Sequence, residues 1–178
     1  MAIDWMLNTS NPGKMKEFQR LFANHGIALT TSQVDLEEID ADPLTVVVHK
    51  ASQLKEGILV EDTSLEIEEE SVGVHIRWLL QHLGKYVGKK AVWRVLLACQ
   101  KHGQVHVYEG KIQGTIVQPR GEGGFGFDPF FLPDNSTFTL AESKPDSVNA
   151  RAKVVEALLR ENVVAILPPL KDWNGSWQ

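Results

Sequence analysis

The chain has 178 residues, 43% of them hydrophobic, and a formal net charge of −5. That is enough for one domain, 1–178, with a real core; it is too apolar for a disordered chain and too acidic for broad nucleic-acid binding. No apolar run approaches the roughly 18 residues of a membrane span, and Met1–Trp5 carries no signal-peptide pattern. A single cysteine, Cys99, rules out an internal disulfide and fits a reducing, cytoplasmic setting. Its apolar surroundings, Val95-Leu96-Leu97-Ala98, mark it as core filler.

Ile3 to Leu7 reads as a short strand, followed by the polar turn Thr9-Ser10-Asn11-Pro12-Gly13-Lys14. Ser10 or Asn11 is placed to cap a helix with Pro12 in its first turn. Met15, Phe18, Leu21 and Phe22 recur at helical spacing, and Gly26 stops the helix. Free N–H groups beside Lys14 suit a phosphate, although the glycine spacing is not that of a P-loop. Ile27 to Val34 reads as a second strand leading to the acids Asp35 to Asp40. Asp42-Pro43 then opens a helix carrying Val46, Val47, Lys50, Ala51 and Leu54.

Gly57-Ile58-Leu59-Val60-Glu61-Asp62-Thr63-Ser64 is a buried strand that ends on adjacent carboxylates. Burying a carboxylate without a partner costs several kcal/mol or neutralises it, so such acids are matched by cations. Mg²⁺ fits, because it takes a few carboxylates together with waters and phosphate oxygens. Leu65 to Glu68 alternates like a half-exposed strand. Gly73 precedes an expected helix with Ile76, Arg77, Trp78, Leu79 and Leu83, ending near Gly84. A further helix is expected around Val92, Trp93, Leu96 and Leu97. Gln104 to Tyr108 and Lys111 to Val117 read as an antiparallel pair turning at Glu109-Gly110.

Pro119 to Phe131 contains four glycines, alternating aromatics and an aspartate before proline. Glycines let the backbone approach a ligand closely. Phe125 or Phe127 can stack on a flat ring, and Asp128 can accept its N–H groups, which is how a purine would be gripped. Ser147 to Asn162 reads as the last helix. Residues 168–178 read as an extended tail whose Trp173 and Trp177 dock on the body or on a partner chain. No Ser/His/Asp arrangement is visible, and the six histidines lack zinc-ligand spacing.

Four blocks, in order, resemble the inosine triphosphate pyrophosphatase (Ham1-like) family of enzymes for non-standard purine nucleoside triphosphates. They are Thr9 to Lys14 with Glu17-Phe18, Val60 to Leu65, Gly124 to Phe131, and Ala141-Glu142 followed by a basic helix start. The resemblance implies an α/β fold with an elongated mixed central β-sheet flanked by helices and a substrate cleft between two lobes. It also implies a homodimer, a requirement for Mg²⁺ (with Mn²⁺ as a substitute), and cleavage between the α- and β-phosphates. Carried over residue by residue, Ser10, Asn11, Lys14 and Lys50 would meet the triphosphate, with Arg77 near the cleft. Glu38, Asp62 and Glu61 would hold metal, and Asp62, Glu61 and Lys14 would serve catalysis. Phe125, Phe127, Asp128, Asn149 and Arg151 would form the base pocket.

The sequence departs from the family's Lys-Asn-x-x-Ser-His-Arg pattern at the last helix. Pro145 holds the lysine position, with Lys144 one residue earlier, while Asn149 and Ala150 replace serine and histidine. These departures leave the favoured base open. Two alternatives stand beside the enzyme: a catalytically silent nucleotide-binding protein of the same fold, and a pyrophosphatase for a different base. The retained Glu38, Glu61 and Asp62 favour an enzyme.

Overall fold

The structure is a computed structural model and describes residues 4–68 and 82–178. Its strands among those residues are β1 (Met6–Asn8), β2 (Thr30–Ser32), β3 (Ile58–Ile67), β4 (Lys90–Lys101), β5 (Gln104–Ile116), β6 (Phe131–Pro133) and β7 (Ala165–Leu167). Its α-helices are α1 (Pro12–Ala23), α2 (Pro43–Ser52) and α3 (Ala150–Leu159). The sheet order is β2-β1-β3-β4-β5-β6, with β7 pairing to β5. β1 is parallel to both β2 and β3, and the remaining pairs are antiparallel, so the sheet is mixed.

Both faces of the sheet are covered. Phe18 and Phe22 of α1 and Val154 and Leu158 of α3 pack with Leu59, Leu65, Trp93 and Leu97 on one face. Val47, Val48 and Ala51 of α2 pack with Val60, Leu96, Ala98 and Val107 on the other. Full burial of Phe18 and Phe22 contributes roughly 1.5–3 kcal/mol each. Strand alternation then separates the two acids of β3. Glu61 leaves on the side of α1 and α3, whereas Asp62 leaves on the side of α2.

β1 stops at Asn8 after pairing with Ile58 and Leu59, but β3 runs on to Ile67. Glu61 and Asp62 therefore lie just beyond the carboxyl end of β1, where α1 begins. Open sheets bind ligands at such strand ends. The caps follow the sequence reading. Asn11 Oδ1 accepts the Lys14 N–H at 3.0 Å, and Asp42 accepts the Thr45 N–H at 3.2 Å.

Several elements differ from expectation. Val92 to Leu97 belong to strand β4, not to a helix. Trp93, Val95 and Leu97 face α1 and α3 and Leu96 faces α2, while Val92 and Arg94 are half-exposed; Val92, Trp93, Leu96 and Leu97 also fall at helical spacing, which hid the strand's alternation. Glu109-Gly110 is not a turn, because β5 passes straight through it. A Cβ on Gly110 would lie 2.2 Å from the Ala150 carbonyl oxygen, so this glycine lets α3 rest on the strand. The hairpin bend is at His102 and Gly103, both with positive φ (52° and 77°), as a two-residue turn between right-twisted strands requires. The first two strands and the last helix are shorter than expected, and Asp146–Val148 forms a separate 3-10 turn. The helix expected to carry Arg77 lies outside the described residues, apart from its end, where Leu83–Tyr86 forms a 3-10 turn.

Candidate active site

Two polar clusters flank the first turns of α1. The first gathers at the carboxyl end of β1. Lys14 Nζ is 2.8 Å from Glu61 Oε2, and Thr63 Oγ1 donates to Glu61 Oε1. Across the strand, Lys50 Nζ donates to the Glu61 carbonyl oxygen at 2.7 Å and pairs with Glu38 Oε1 at 3.2 Å. Lys50 points inward because it follows the buried face of α2, and Glu38 meets it from the irregular run after β2. Asn8 anchors that run: its Oδ1 accepts the Val34 N–H at 2.7 Å.

The electrostatics divide the two neighbouring acids. Burial opposes charge on Glu61, but Lys14, Arg151 and Lys50 outweigh it and hold the carboxyl at about 2. Burial likewise opposes charge on Asp62, and here it prevails. Lys50 relieves it only in part and Glu61 adds repulsion, so the carboxyl rises to about 7. Lys50 is raised despite its burial, by Asp62, Glu38 and Glu61.

Asp62 is partly exposed as a residue, yet its Oδ2 is buried and has no hydrogen-bond partner. Glu61 and Glu38 each have a lysine; Asp62 has an unsatisfied oxygen. A buried carboxylate oxygen without a donor suits a hard divalent cation. Among the described residues no three acids, imidazoles or thiols already form a metal cage. Mg²⁺ does not require one, since it binds through one or two carboxylates plus phosphates.

The second cluster is built on Glu17, one turn along α1. Its carboxylate accepts from Asn149 Nδ2 at 2.5 Å and from Arg151 Nη1 at 3.2 Å, with Lys144 Nζ at 3.7 Å. Lys144 also pairs with Asp128 Oδ2 at 2.6 Å, and that oxygen accepts the Phe125 N–H at 3.0 Å. The Lys144 and Arg151 cations each lie 4.8 Å from the centre of the Phe125 ring. Gly124 has φ +70°, and a Cβ there would fall 2.1 Å from Asp128 Oδ2, so the loop closes over its aspartate only with glycine. A cavity of about 450 Å³ opens beside this cluster, lined by Gly13, Glu17, Arg20, Phe125 and Lys144 among others.

The structure thus brings together Lys14, Glu38, Lys50, Glu61 and Asp62 at one end, and Phe125, Asp128, Asn149 and Arg151 at the other. Ser10 is exposed in the turn before α1. Asn11 is exposed beside it, with its side chain engaged as the helix cap. Asn149 is fully buried and caps α3 while it holds Glu17. Phe127 is in the core: it packs edge-on against Trp93 at 5.9 Å and beside Phe131 at 6.0 Å, so Phe125 alone of the pair borders the cavity. Arg77 lies outside the described residues. Glu17 and Lys144 are the groups that sequence reasoning did not place in the site. The three-residue spacing of Lys14 and Glu17 on one helix was a usable signal for the first.

The model described as Ham1 family matches residues 5–161. The chain is 34% identical over 167 residues to a protein of Batrachochytrium dendrobatidis named inosine triphosphate pyrophosphatase, covering 84% of this chain and 87% of that one. It is 31% identical over 159 residues to a dITP/XTP pyrophosphatase of Thermococcus kodakarensis, covering 79% and 85%. A solved nucleoside-triphosphatase / dITP/XTP pyrophosphatase from Mycobacterium abscessus matches with a TM-score of 0.64 and 25% identity, over 88% of this chain and 99% of that one.

Proposed function

The chain belongs to the Ham1 family, and we propose that it hydrolyses non-standard purine nucleoside triphosphates to the monophosphate and pyrophosphate. It is a hydrolase of the nucleotide pool, as its relatives are named. The observation that carries this reading is the pair of clusters on α1. Two lysines facing three carboxylates suit a triphosphate, and one helical turn away a cation-bearing aromatic suits a base.

In this reading Lys14 and Lys50 exchange carboxylate partners for phosphate oxygens and stabilise the charge that builds on the leaving pyrophosphate. Asp62 and Glu38 are the acids that would hold Mg²⁺, or Mn²⁺ in its place, with Glu61 as the third acid nearby. The bound ion supplies charge neutralisation along the phosphate chain. The attacking water needs a carboxylate as proton acceptor, and Glu61 and Asp62 are the acids beside the two lysines. Phe125 stacks on the base while Asp128 and Lys144 meet its edge. The enzyme works as a cytoplasmic homodimer. Among the described residues no helix is long and apolar enough to cross a membrane.

The test is pyrophosphate release from inosine, xanthosine, guanosine, adenosine and pyrimidine triphosphates with Mg²⁺. Turnover led by inosine or xanthosine triphosphate is expected. Nucleotide binding with no turnover of any member would replace the enzyme by a binding protein, and a pyrimidine preference would replace the substrate. Sedimentation of the purified protein checks the dimer.

A further inference from the structure

Glu38 sits in a run without helix or ladder between β2 and α2, yet its position decides whether an acid faces Lys50 and Asp62. The chain's last residues come back to this run. Gln178 donates its N–H to the Glu38 carbonyl at 3.0 Å and its Nε2–H to the Ile39 carbonyl at 2.9 Å. Asp40 donates its N–H to the Ser176 carbonyl at 2.9 Å, and Ile39 bridges Trp177 in antiparallel fashion. The Trp177 ring stands edge-on to His49 at 5.6 Å, and His49 precedes Lys50 on α2. Ile39, between them, is fully buried.

We propose that residues 176–178 form a clamp that holds Glu38 in the metal site, with Trp177 as a positioning residue. The inference rests on the reading of Glu38 as a metal-holding acid. Ordering a residue's backbone costs about 1–2 kcal/mol, so an unpaired run would leave Glu38 mobile. Two backbone hydrogen bonds, one from the Gln178 side-chain amide and one indole fix it from behind. Residues 176–178 are not among the acids and lysines of the site. The clamp acts as an outer shell, and removing such support costs metal affinity rather than chemistry.

The experiment titrates the full-length protein with Mn²⁺ alone, reading free Mn²⁺ by electron paramagnetic resonance. Trp177→Ala, Trp177→Phe and Gln178→Pro are compared with wild type. Gln178→Pro removes both bonds that Gln178 donates, to the Glu38 and Ile39 carbonyls, and keeps the indole. Hydrogen exchange of the Asp40 amide reports on the clamp itself. Trp177→Ala and Gln178→Pro are expected to exchange faster and to bind Mn²⁺ roughly tenfold more weakly. Trp177→Phe should recover most of the affinity, because the ring contact with His49 remains. At saturating Mn²⁺ the triphosphate KM should stay within about twofold of wild type.

Unchanged Mn²⁺ affinity despite faster Asp40 exchange overturns the proposal, as does a Phe variant as weak as the Ala variant. Should Trp177→Ala fail to fold, Gln178→Pro decides alone. A wild type that binds Mn²⁺ but cleaves no triphosphate defeats the enzymatic reading, and a tenfold loss in the variants then still supports the clamp. A wild type that binds no Mn²⁺ overturns the clamp and the metal site together.

Discussion

Glu61 and Asp62 are consecutive residues whose carboxyl groups leave opposite faces of β3 and titrate at opposite ends of their range, about 2 and about 7. Both are penalised by burial. The difference is that Lys14 sits on Glu61 at 2.8 Å, whereas Lys50 spends its hydrogen bonds on Glu38 and on the Glu61 backbone. Asp62 is left as the acid with an unmet demand.

That division sets opposite pH signatures in the metal-free protein. For Asp62 the folded pKa lies above the ordinary aspartate value of 3.8. Its contribution to stability is present below about 4 and is lost as pH rises through about 7. For Glu61 the folded pKa lies below 4.5, so its contribution is present above that value and is lost as pH falls toward 2. Asp62→Asn removes the first effect. It is expected to be more stable than wild type at pH 8, by on the order of a few kcal/mol, and to match it near pH 4. Thermal melts from pH 4 to 8 check this, and a variant destabilised at pH 8 contradicts the burial account.

The same substitution should disable the site. Turnover in Asp62→Asn is expected to fall roughly a hundredfold or more, with the fold intact by circular dichroism. In wild type, Mg²⁺ affinity should rise as pH climbs toward 7 and flatten above it, because binding must displace the Asp62 proton. Calorimetry in two buffers of different ionisation enthalpy reads the released proton. Near-normal turnover in the variant removes Asp62 from the centre.

Lys14→Ala leaves Glu61 buried without its nearest cation. Breaking a buried pair costs about 3–5 kcal/mol; because Lys14 is partly exposed and Lys50 and Arg151 still face Glu61, about 2–3 is expected here. Denaturant unfolding measures it. The double variant Lys14→Met with Glu61→Gln should recover much of that stability and none of the activity.

Phe125→Ala is expected to raise KM for the triphosphate about tenfold or more with a smaller loss in kcat, since base stacking is worth roughly 1–3 kcal/mol. Glu17→Gln should weaken the hold on both Lys144 and Arg151 and alter the ranking of bases in the substrate panel. A steady-state comparison across that panel reads both effects. An unchanged KM for Phe125→Ala would make the loop purely structural.

Gly110→Ala tests the packing of α3 on β5. The added methyl would meet the backbone of Ala150 and Val154 at 2.2 and 2.5 Å, contacts between main chains that no rotamer can relieve. A loss of about 3 kcal/mol or more is expected, because overpacking at backbone is harder to absorb than at side chains. Thermal and denaturant unfolding would reveal it, and a neutral result would mean that α3 can slide.

What could be read in advance was local. The Asn11 and Asp42 caps, the following prolines and the apolar stripes of α1 and α2 are short-range patterns, and the structure contains them. The buried strand carrying Glu61 and Asp62 was legible for the same reason, although it runs on to Ile67 and does not end on them. Val92 to Leu97 was not, because Val92, Trp93, Leu96 and Leu97 also fall at helical spacing and the strand is covered on both faces only from Leu96 on. Glu109-Gly110 resembled a turn because glycine serves two purposes, and only the helix lying on β5 reveals which one applies. The aromatic of the Gly-Phe-Gly-Phe loop that lines the cavity was equally undecided. Phe127 turns toward Trp93, and Phe125 faces the cations.

The chain's residues alone determined which groups were at hand: two lysines, three acids and a glycine loop. Their pairing was decided only by the folded chain. Lys14 and Glu61 are 47 positions apart, and Glu17 and Arg151 are separated by 134, so their meeting depends on β1 ending early beside a longer β3 and on α1 crossing toward α3. Burial then decided the charge states, because two adjacent carboxylates that are equivalent in water become unlike once only one of them has a lysine at hydrogen-bond distance.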